Sequence, residues 1–317
     1  MNTEVNATVN AEVKAAEQRW GARRVETMRR PRLVASDVDG TLLDPTDQIS
    51  PRTRAAVHRV LAAGVPFVLA TGRPPRWIPP VVEQLGHAGP AVCANGAVLY
   101  DAATDQVHYT VTLDPEQLRA AAAVVATVLP DAKLAVELPT DSAAVNGAEQ
   151  FLAEPGYTNP WPLADTTNAP RDVLLGQPAI KLLVLQPEAS SDLMAAAVRE
   201  LLGAQREPHP QIHAEDQPRG ELGSSLTVTF SAGFGLIEVS APGVTKGTGL
   251  ARLAAELGIA PAEVLAVGDM PNDLPMLRWA GYGVAMANAH PAVLEAADEI
   301  TTSNSEDGLA VILERWF

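Results

Sequence analysis

The sequence holds a single cysteine, Cys93, in 317 residues. No internal disulfide can form, and the count suits a reducing, cytoplasmic compartment. No histidine near Cys93 completes a dyad, so a buried structural thiol is expected. Aromatic residues are scarce, at 4%, while Ala and Pro are abundant. Basic charge is also short: 23 Lys and Arg face 38 Asp and Glu, a net charge of −15. A nucleic-acid binder usually carries a basic face, so no nucleic-acid partner is expected. A small anionic substrate stays open, because one local cation can reverse the field inside a cleft. No apolar run approaches the roughly 18–20 residues of a membrane span, and the N-terminus lacks the apolar core of a signal peptide. What is present, 47% hydrophobic and 19% charged, describes a soluble globular protein with room for two domains.

Residues 1–31 stand apart. They begin Asn-rich and become charged, with Arg19, Arg23, Arg24, Arg29, Arg30 and the adjoining Arg32 close together and Glu17 and Glu26 among them. One reading is a basic helix against an anionic surface. The thin apolar face and the interspersed glutamates favour a flexible, solvated extension.

From Leu33 the chain acquires a rhythm. An apolar run, Leu33–Ala35, ends in Asp37-Val38-Asp39-Gly40-Thr41. Ser50 caps a helix that starts at Pro51. Val65–Ala70 is an apolar run ending in Thr71-Gly72-Arg73. A helix over Trp77–Leu85 and a strand over Pro90–Ala94, closed by Asn95-Gly96, follow. Strand, helix, strand, helix, strand is the pattern of a parallel α/β sheet, whose ligands sit at the carboxyl ends of the strands. Between 98 and 234 the rhythm changes to hairpins and two helices, expected as an inserted α+β module. It resumes near Gly235, with strands at Leu236–Val239, Val264–Val267 and Tyr282–Met286, and a helix from Lys246. The expected organisation is an extension (1–31), a core (32–97 and 235–317) and an insert (98–234).

Chemistry-bearing residues gather at those strand ends. Asp37 and Asp39 lie two apart and share a face of the strand end. Two like charges that close are relieved by a cation, and carboxylate oxygens suit Mg²⁺. Gly268-Asp269-Met270-Pro271-Asn272-Asp273 adds two carboxylates after another buried strand. Four converging carboxylates need a metal or a base, and Lys246 at a helix start is the natural partner. A helix N-terminus with a lysine attracts phosphate, and Thr71 adds a hydroxyl. Other signals are weak. His209 and His213 are separated by Pro210, which argues against a shared helical face for zinc. Gly243, Gly247 and Gly249 have the wrong spacing for a dinucleotide fingerprint.

Asp37-Val38-Asp39-Gly40-Thr41, Ala70-Thr71-Gly72-Arg73, Thr245-Lys246-Gly247 and Gly268-Asp269-x-x-Asn272-Asp273 resemble, in order, the four motifs of the haloacid dehalogenase superfamily. The insert resembles its C2 (IIB) cap, and Asn95-Gly96 fits the Cof-type phosphatase subfamily. The resemblance implies a Rossmann-like parallel sheet with helices on both faces, an α+β cap, and Mg²⁺-dependent hydrolysis of small phosphorylated metabolites such as sugar phosphates. It implies that Asp37 is the nucleophile and that Asp39 is the general acid and base and lends a carbonyl to Mg²⁺. Asp37 and Asp269 would be direct ligands, with Asp273 a water-mediated or outer ligand that orients Lys246. Thr71, Lys246 and Asn272 would hold the phosphoryl oxygens, and Gly72, Arg73 and Asn95 would lie near the substrate. Two prolines, Pro271 and Pro275, would stiffen the fourth motif without removing a ligand. Tyr157 or Trp161 would either set specificity or pack the insert. A phosphomannomutase-like sugar-phosphate mutase and a non-catalytic phosphate-binding regulator are the alternatives.

Overall fold

Leu33–Ser36 is buried along its whole length, as a strand covered by helices on both sides must be. In the computed structural model, which describes residues 29–143, 150–159, 166–204 and 226–317, it forms β1. There follow α1 (Pro51–Ala62), β2 (Phe67–Ala70), α2 (Pro79–Leu85), β3 (Pro90–Cys93), β4 (Val98–Asp101) and β5 (Gln106–Thr110). Next come α3 (Pro115–Val128), β6 (Lys133–Glu137), β7 (Phe151–Ala153), β8 (Thr167–Asn168), α4 (Arg171–Leu174), β9 (Lys181–Leu185), α5 (Ser191–Ala204), β10 (Thr227–Thr229) and β11 (Leu236–Ser240). The chain closes with α6 (Lys246–Glu256), β12 (Val264–Gly268), α7 (Leu274–Trp279), β13 (Tyr282–Ala285), α8 (Pro291–Ala296), β14 (Glu299–Ile300) and α9 (Gly308–Leu313). Residues Arg19, Arg23, Arg24, Trp161, His209 and His213 lie outside the described residues.

The first compact unit runs to Tyr109, takes in 141–143 and resumes at Thr245. Among the described residues its eight strands lie in the order β14-β13-β12-β1-β2-β3-β4-β5. The strands from β14 to β3 are parallel, and β4 is antiparallel to β3. The chain winds outward from β1 through β2 and β3 on one side, and through β12, β13 and β14 on the other. The reversal falls between β1 and β12, which makes a crevice beyond their carboxyl ends. Leu33 and Ala35 of β1, with Val264 and Ala266 of β12, pack against Leu250 and Leu253 of α6 and Met276 and Leu277 of α7. Helices α1 and α9 pack together on the other side. The Ser50 hydroxyl caps α1 by accepting from the Thr53 amide, and Pro51 takes the first position.

The second unit spans 110–140 and continues to Val244. Among the described residues its six strands lie in the order β10-β11-β9-β6-β7-β8, antiparallel except for the parallel pair β7 and β8. Ala135, Phe151, Ala153, Tyr157, Leu183, Leu185 and Leu236 pack one face. The rings of Phe151 and Tyr157 meet edge to face, 5.8 Å apart. Tyr157 is thus a packing residue of this unit.

Two elements join a different sheet from the one expected. The hairpin strands β4 and β5 extend the first sheet through β3, with Cys93 opposite Val98. Strand β11, expected to reopen the core, pairs with β9 and β10 in the second sheet. Contact boundaries therefore fall at Tyr109/Thr110 and Val244/Thr245, not at 97/98 and 234/235. The physical reason is that an apolar run fixes a strand but not its neighbour. The expected helix over Trp77–Leu85 is also split: a short turn covers Pro75–Trp77, and α2 begins at Pro79. Cys93 is buried and forms no disulfide.

Candidate active site

Parallel pairing of β1 with β12 sets Ser36 beside Val267, so the residues after both strands emerge together. The Asp37 amide donates to the Val267 carbonyl at 2.9 Å, which extends the pairing by one residue. The Asp37 carboxylate accepts from the Val38 amide at 2.6 Å and so opens the wide turn over Val38–Leu42. It also meets Lys246 Nζ at 2.8 Å. Lys246 is the first residue of α6, placed by a cap in which Thr245 and Thr248 exchange backbone-to-side-chain hydrogen bonds. Its ammonium bonds Asp273 Oδ1 at 2.7 Å and has no exposed surface. Asp273 Oδ2 accepts from the amides of Asp269 and Met270, both at 2.9 Å. Asp273 thus folds the fourth motif around its own carboxylate. Pro271 and Pro275 occupy first-turn positions, where a missing N–H costs nothing.

The Asp269 carboxylate is held by the Thr41 hydroxyl at 3.0 Å. It lies directly over Gly40, which has φ +76°; a β-carbon there would come within 2.2 Å of Asp269 Oδ2. Only glycine satisfies both the left-handed backbone and the close approach. The Gly40 carbonyl accepts from Asn288 Nδ2 at 2.9 Å. Oxygens of Asp37, Asp269 and Asp273 all fall within 4.8 Å of one another, and all three residues are buried.

A second set of strand ends abuts the first. Thr71 is buried beyond β2, and its hydroxyl accepts from the Arg73 amide at 3.0 Å. Asn95 follows β3 in the left-handed region, φ 56°, and its amide donates to the Thr71 carbonyl at 3.0 Å. Asn95 Oδ1 accepts from Asn272 Nδ2 at 3.0 Å, which ties the loop after β3 to the fourth motif. Gly72 passes within 3.3 Å of that oxygen, measured from a notional β-carbon. Gly96 lies so close to the start of α6 that a β-carbon would sit 2.0 Å from the Thr245 carbonyl. The Asp39 carboxylate stays outside the buried cluster, 52% exposed, and is gripped by Arg73. Arg73 Nε and one terminal nitrogen reach its two oxygens at 2.9 and 2.5 Å.

Three carboxylates cluster in this pocket and two of them pair with one ammonium, so full ionisation leaves an excess of two negative charges. Burial first, then the charges of Asp273 and Asp269, push Asp37 well above the usual carboxylate range, against the pull of Lys246. Burial and Asp273 push Asp269 up to about 7. Burial alone would lower Lys246, but Asp273 and Asp37 outweigh it and raise the ammonium. The all-oxygen donor set and the uncompensated charge fit a hard divalent cation such as Mg²⁺.

The sequence profile of the haloacid dehalogenase-like hydrolases matches residues 34–313. The chain belongs to that family. Phosphatase YwpJ of Bacillus subtilis is 30% identical over 298 residues, 89% of this chain and 99% of that protein. A second Bacillus subtilis protein, YitU, named as a 5-amino-6-(5-phospho-D-ribitylamino)uracil phosphatase, is 29% identical over 91% of this chain and 98% of its own length. Among solved structures, a haloacid dehalogenase-like hydrolase from Bacteroides thetaiotaomicron superposes with a TM-score of 0.66 at 26% identity, covering 90% of this chain and all of that one. This haloacid dehalogenase-like hydrolase is an enzyme of the phosphatase kind.

In this hydrolase the expected residues of all four motifs gather at the carboxyl edge of one sheet. Arg73, expected beside the substrate, is engaged with Asp39. Two contributors carried no expected role: Thr41, which fixes Asp269, and Asn288, which fixes the turn at Gly40. Thr41 was signalled by its place in the Asp-Gly-Thr run. Asn288 had no signal, because its partner is a backbone carbonyl 248 residues away. No helix among the described residues is long and apolar enough to cross a membrane.

Proposed function

We propose that the protein hydrolyses small phosphate monoesters, sugar phosphates or similar metabolites, with Mg²⁺ and through an aspartyl-phosphate on Asp37. The observation that carries this reading is the buried ammonium of Lys246, shared between Asp37 and Asp273 where the sheet reverses. An attacking carboxylate must be ionised, and Lys246 favours that form. Asp37 attacks phosphorus and the bond to the leaving oxygen breaks, while Asp39 supplies the proton that oxygen needs. Asp39 then takes a proton from the water that attacks the aspartyl-phosphate, which releases phosphate and restores Asp37. Lys246, Thr71 and Asn272 hold the phosphoryl oxygens as charge grows on them. Asp37, Asp269 and the Asp39 carbonyl would hold Mg²⁺, with Asp273 as an outer ligand, and the cation would supply the missing positive charge. Primary alkyl phosphates are the favoured substrate class, since YitU and a phosphoglycolate phosphatase of Methanoculleus marisnigri are named for such esters.

A metabolite panel with and without Mg²⁺ tests the reading, with Asp37→Asn as control. The expected result is Mg²⁺-dependent phosphate release that the variant lacks. Equal release by the variant removes Asp37 as nucleophile. Isomerised sugar phosphate with little free phosphate would assign a mutase, and tight phosphate binding with no turnover a regulator.

A further inference from the structure

We propose that Arg73 is the positioning residue for Asp39, holding the proton-transfer carboxylate at the mouth of the site; the inference rests on the reading of Asp39 as acid and base. The Asp39 backbone lies in the turn between β1 and α1, and its side chain is half exposed. A carboxylate there rotates freely unless another element fixes it. Thr41 and Asn288 fix the same turn through Asp269 and the Gly40 carbonyl, and neither touches the Asp39 carboxylate. The hydrogen bonds to both of its oxygens come from Arg73.

Arg73 is built to hold still. Its amide donates to the Thr71 hydroxyl at 3.0 Å, and its carbonyl accepts from the Ala94 amide at 2.9 Å. The backbone is therefore pinned on one side to the residue after β2 and on the other to the turn after β3. Its side chain is only 20% exposed. From that base the planar guanidinium presents two parallel donors to the two carboxylate oxygens, a geometry lysine cannot reproduce. The ends of three adjacent strands thus act on one carboxylate: β1 supplies it, β2 supplies the arginine, and β3 braces the arginine. A bidentate clamp fixes the plane of the carboxylate as well as its place, and proton transfer to a leaving oxygen is sensitive to both.

The test uses leaving-group dependence. Departure of an alkoxide needs a proton, whereas p-nitrophenolate leaves readily without one. The measured quantity is kcat/KM, which reports formation of the aspartyl-phosphate, for p-nitrophenyl phosphate and for an alkyl phosphate that the enzyme accepts. Asp39→Asn is the reference and is expected to lose about 100-fold or more on the alkyl ester relative to the aryl ester. Arg73→Ala is expected to show the same selective loss at about 10- to 100-fold, and Arg73→Lys an intermediate one. In the Asp39→Asn background, Arg73→Ala should add no further selectivity, because both act through one group. An equal loss on both esters with Arg73→Ala overturns the proposal and makes Arg73 a binder of the shared phosphoryl group. Full selectivity retained in Arg73→Lys also overturns it, since charge without the fork would then suffice; this variant keeps the side-chain bulk if Arg73→Ala folds poorly. Absence of selectivity in Asp39→Asn itself would instead sink the acid assignment, and the role of Arg73 with it.

Discussion

Each of the two units buries a lysine against carboxylates, and the two burials differ in kind. Lys246 stands beyond the strand ends, where Asp37, Asp269 and Asp273 arrive on loops. Lys181 stands on a sheet face, ion-paired with Glu238 one strand away and opposite Glu137 on the other side. Lys181 and Leu183 share a face, and Leu183 is the register partner of Glu238, so the pair is diagonal across β9 and β11. The loop-borne cluster also draws on backbone amides: those of Val38, Asp269 and Met270 point at its carboxylates. Amides at strand ends are not committed to the ladder and can be aimed at a charge, whereas those inside strands are already paired. A reactive carboxylate therefore belongs past the end of a strand. There the fold can gather excess negative charge and still solvate it.

The largest effect is expected from removing the shared ammonium. Lys246→Met removes the ammonium paired with Asp37 and Asp273, and Asp37 loses the charge that favours its ionised form. Phosphate release should fall by about 10²- to 10³-fold, as for other lost oxyanion donors. Kinetics at saturating Mg²⁺ would show it; a variant that keeps a tenth of the wild-type rate would reduce Lys246 to scaffolding. The same change in the second unit should read out as stability. Lys181→Met strands a buried carboxylate and is expected to cost about 3–5 kcal/mol, while Lys181→Met with Glu238→Leu should recover most of it. Urea midpoints at constant m-value decide this, and a single-variant cost under about 1 kcal/mol would mean that solvent reaches the pair.

A third contrast is pH. Asp269 is pushed up to about 7 by burial and by Asp273, against about 4 for an unfolded aspartate. A raised acid binds more protons folded than unfolded between those values. Stability of the metal-free protein from this group is therefore greatest below about pH 4, falls through the interval, and is flat above about pH 7. The loss is on the order of 4 kcal/mol or less. Mg²⁺ competes with that proton, so the thermal shift on adding Mg²⁺ should grow from pH 5 to pH 8. A shift that stays constant over that range would show that Asp269 is ionised without the cation.

The contrast also explains what could be read from residue order alone. Asp37 and Asp269 were legible because a buried strand followed by Asp is a local pattern, and Lys246 because a capped helix start is one too. Partners were not legible. Nothing in Thr71-Gly72-Arg73 says that the guanidinium turns to Asp39, since that depends on β1 and β2 being neighbours. Likewise the apolar strands β4 and β11 carry no mark of which sheet they complete. Lys181 and Glu238, 57 residues apart, became a pair only through the register of β9 and β11.

The smallest effect is expected where one neutral hydrogen-bond donor steadies the charged cluster. Thr41 Oγ1 donates to Asp269 Oδ1 at 3.0 Å in a buried setting. Thr41→Val keeps the shape and β-branching of the side chain and deletes the donor. Asp269 would keep its place over Gly40, because the turn is still fixed by Asn288. Stability should fall by about 1.5–3 kcal/mol, the usual worth of a hydrogen bond to a charged group. The concentration of Mg²⁺ giving half-maximal activity should rise about tenfold, as for other residues that orient a metal ligand. No rise in that concentration, alongside the stability loss, would confine Thr41 to holding the turn. A rise without loss of stability would make its hydroxyl a pure orienting group for Asp269. No equivalent hydroxyl near Lys181 is expected to tune metal response, so the same titration on the Lys181→Met and Glu238→Leu double variant should leave that concentration where it is in the parent enzyme.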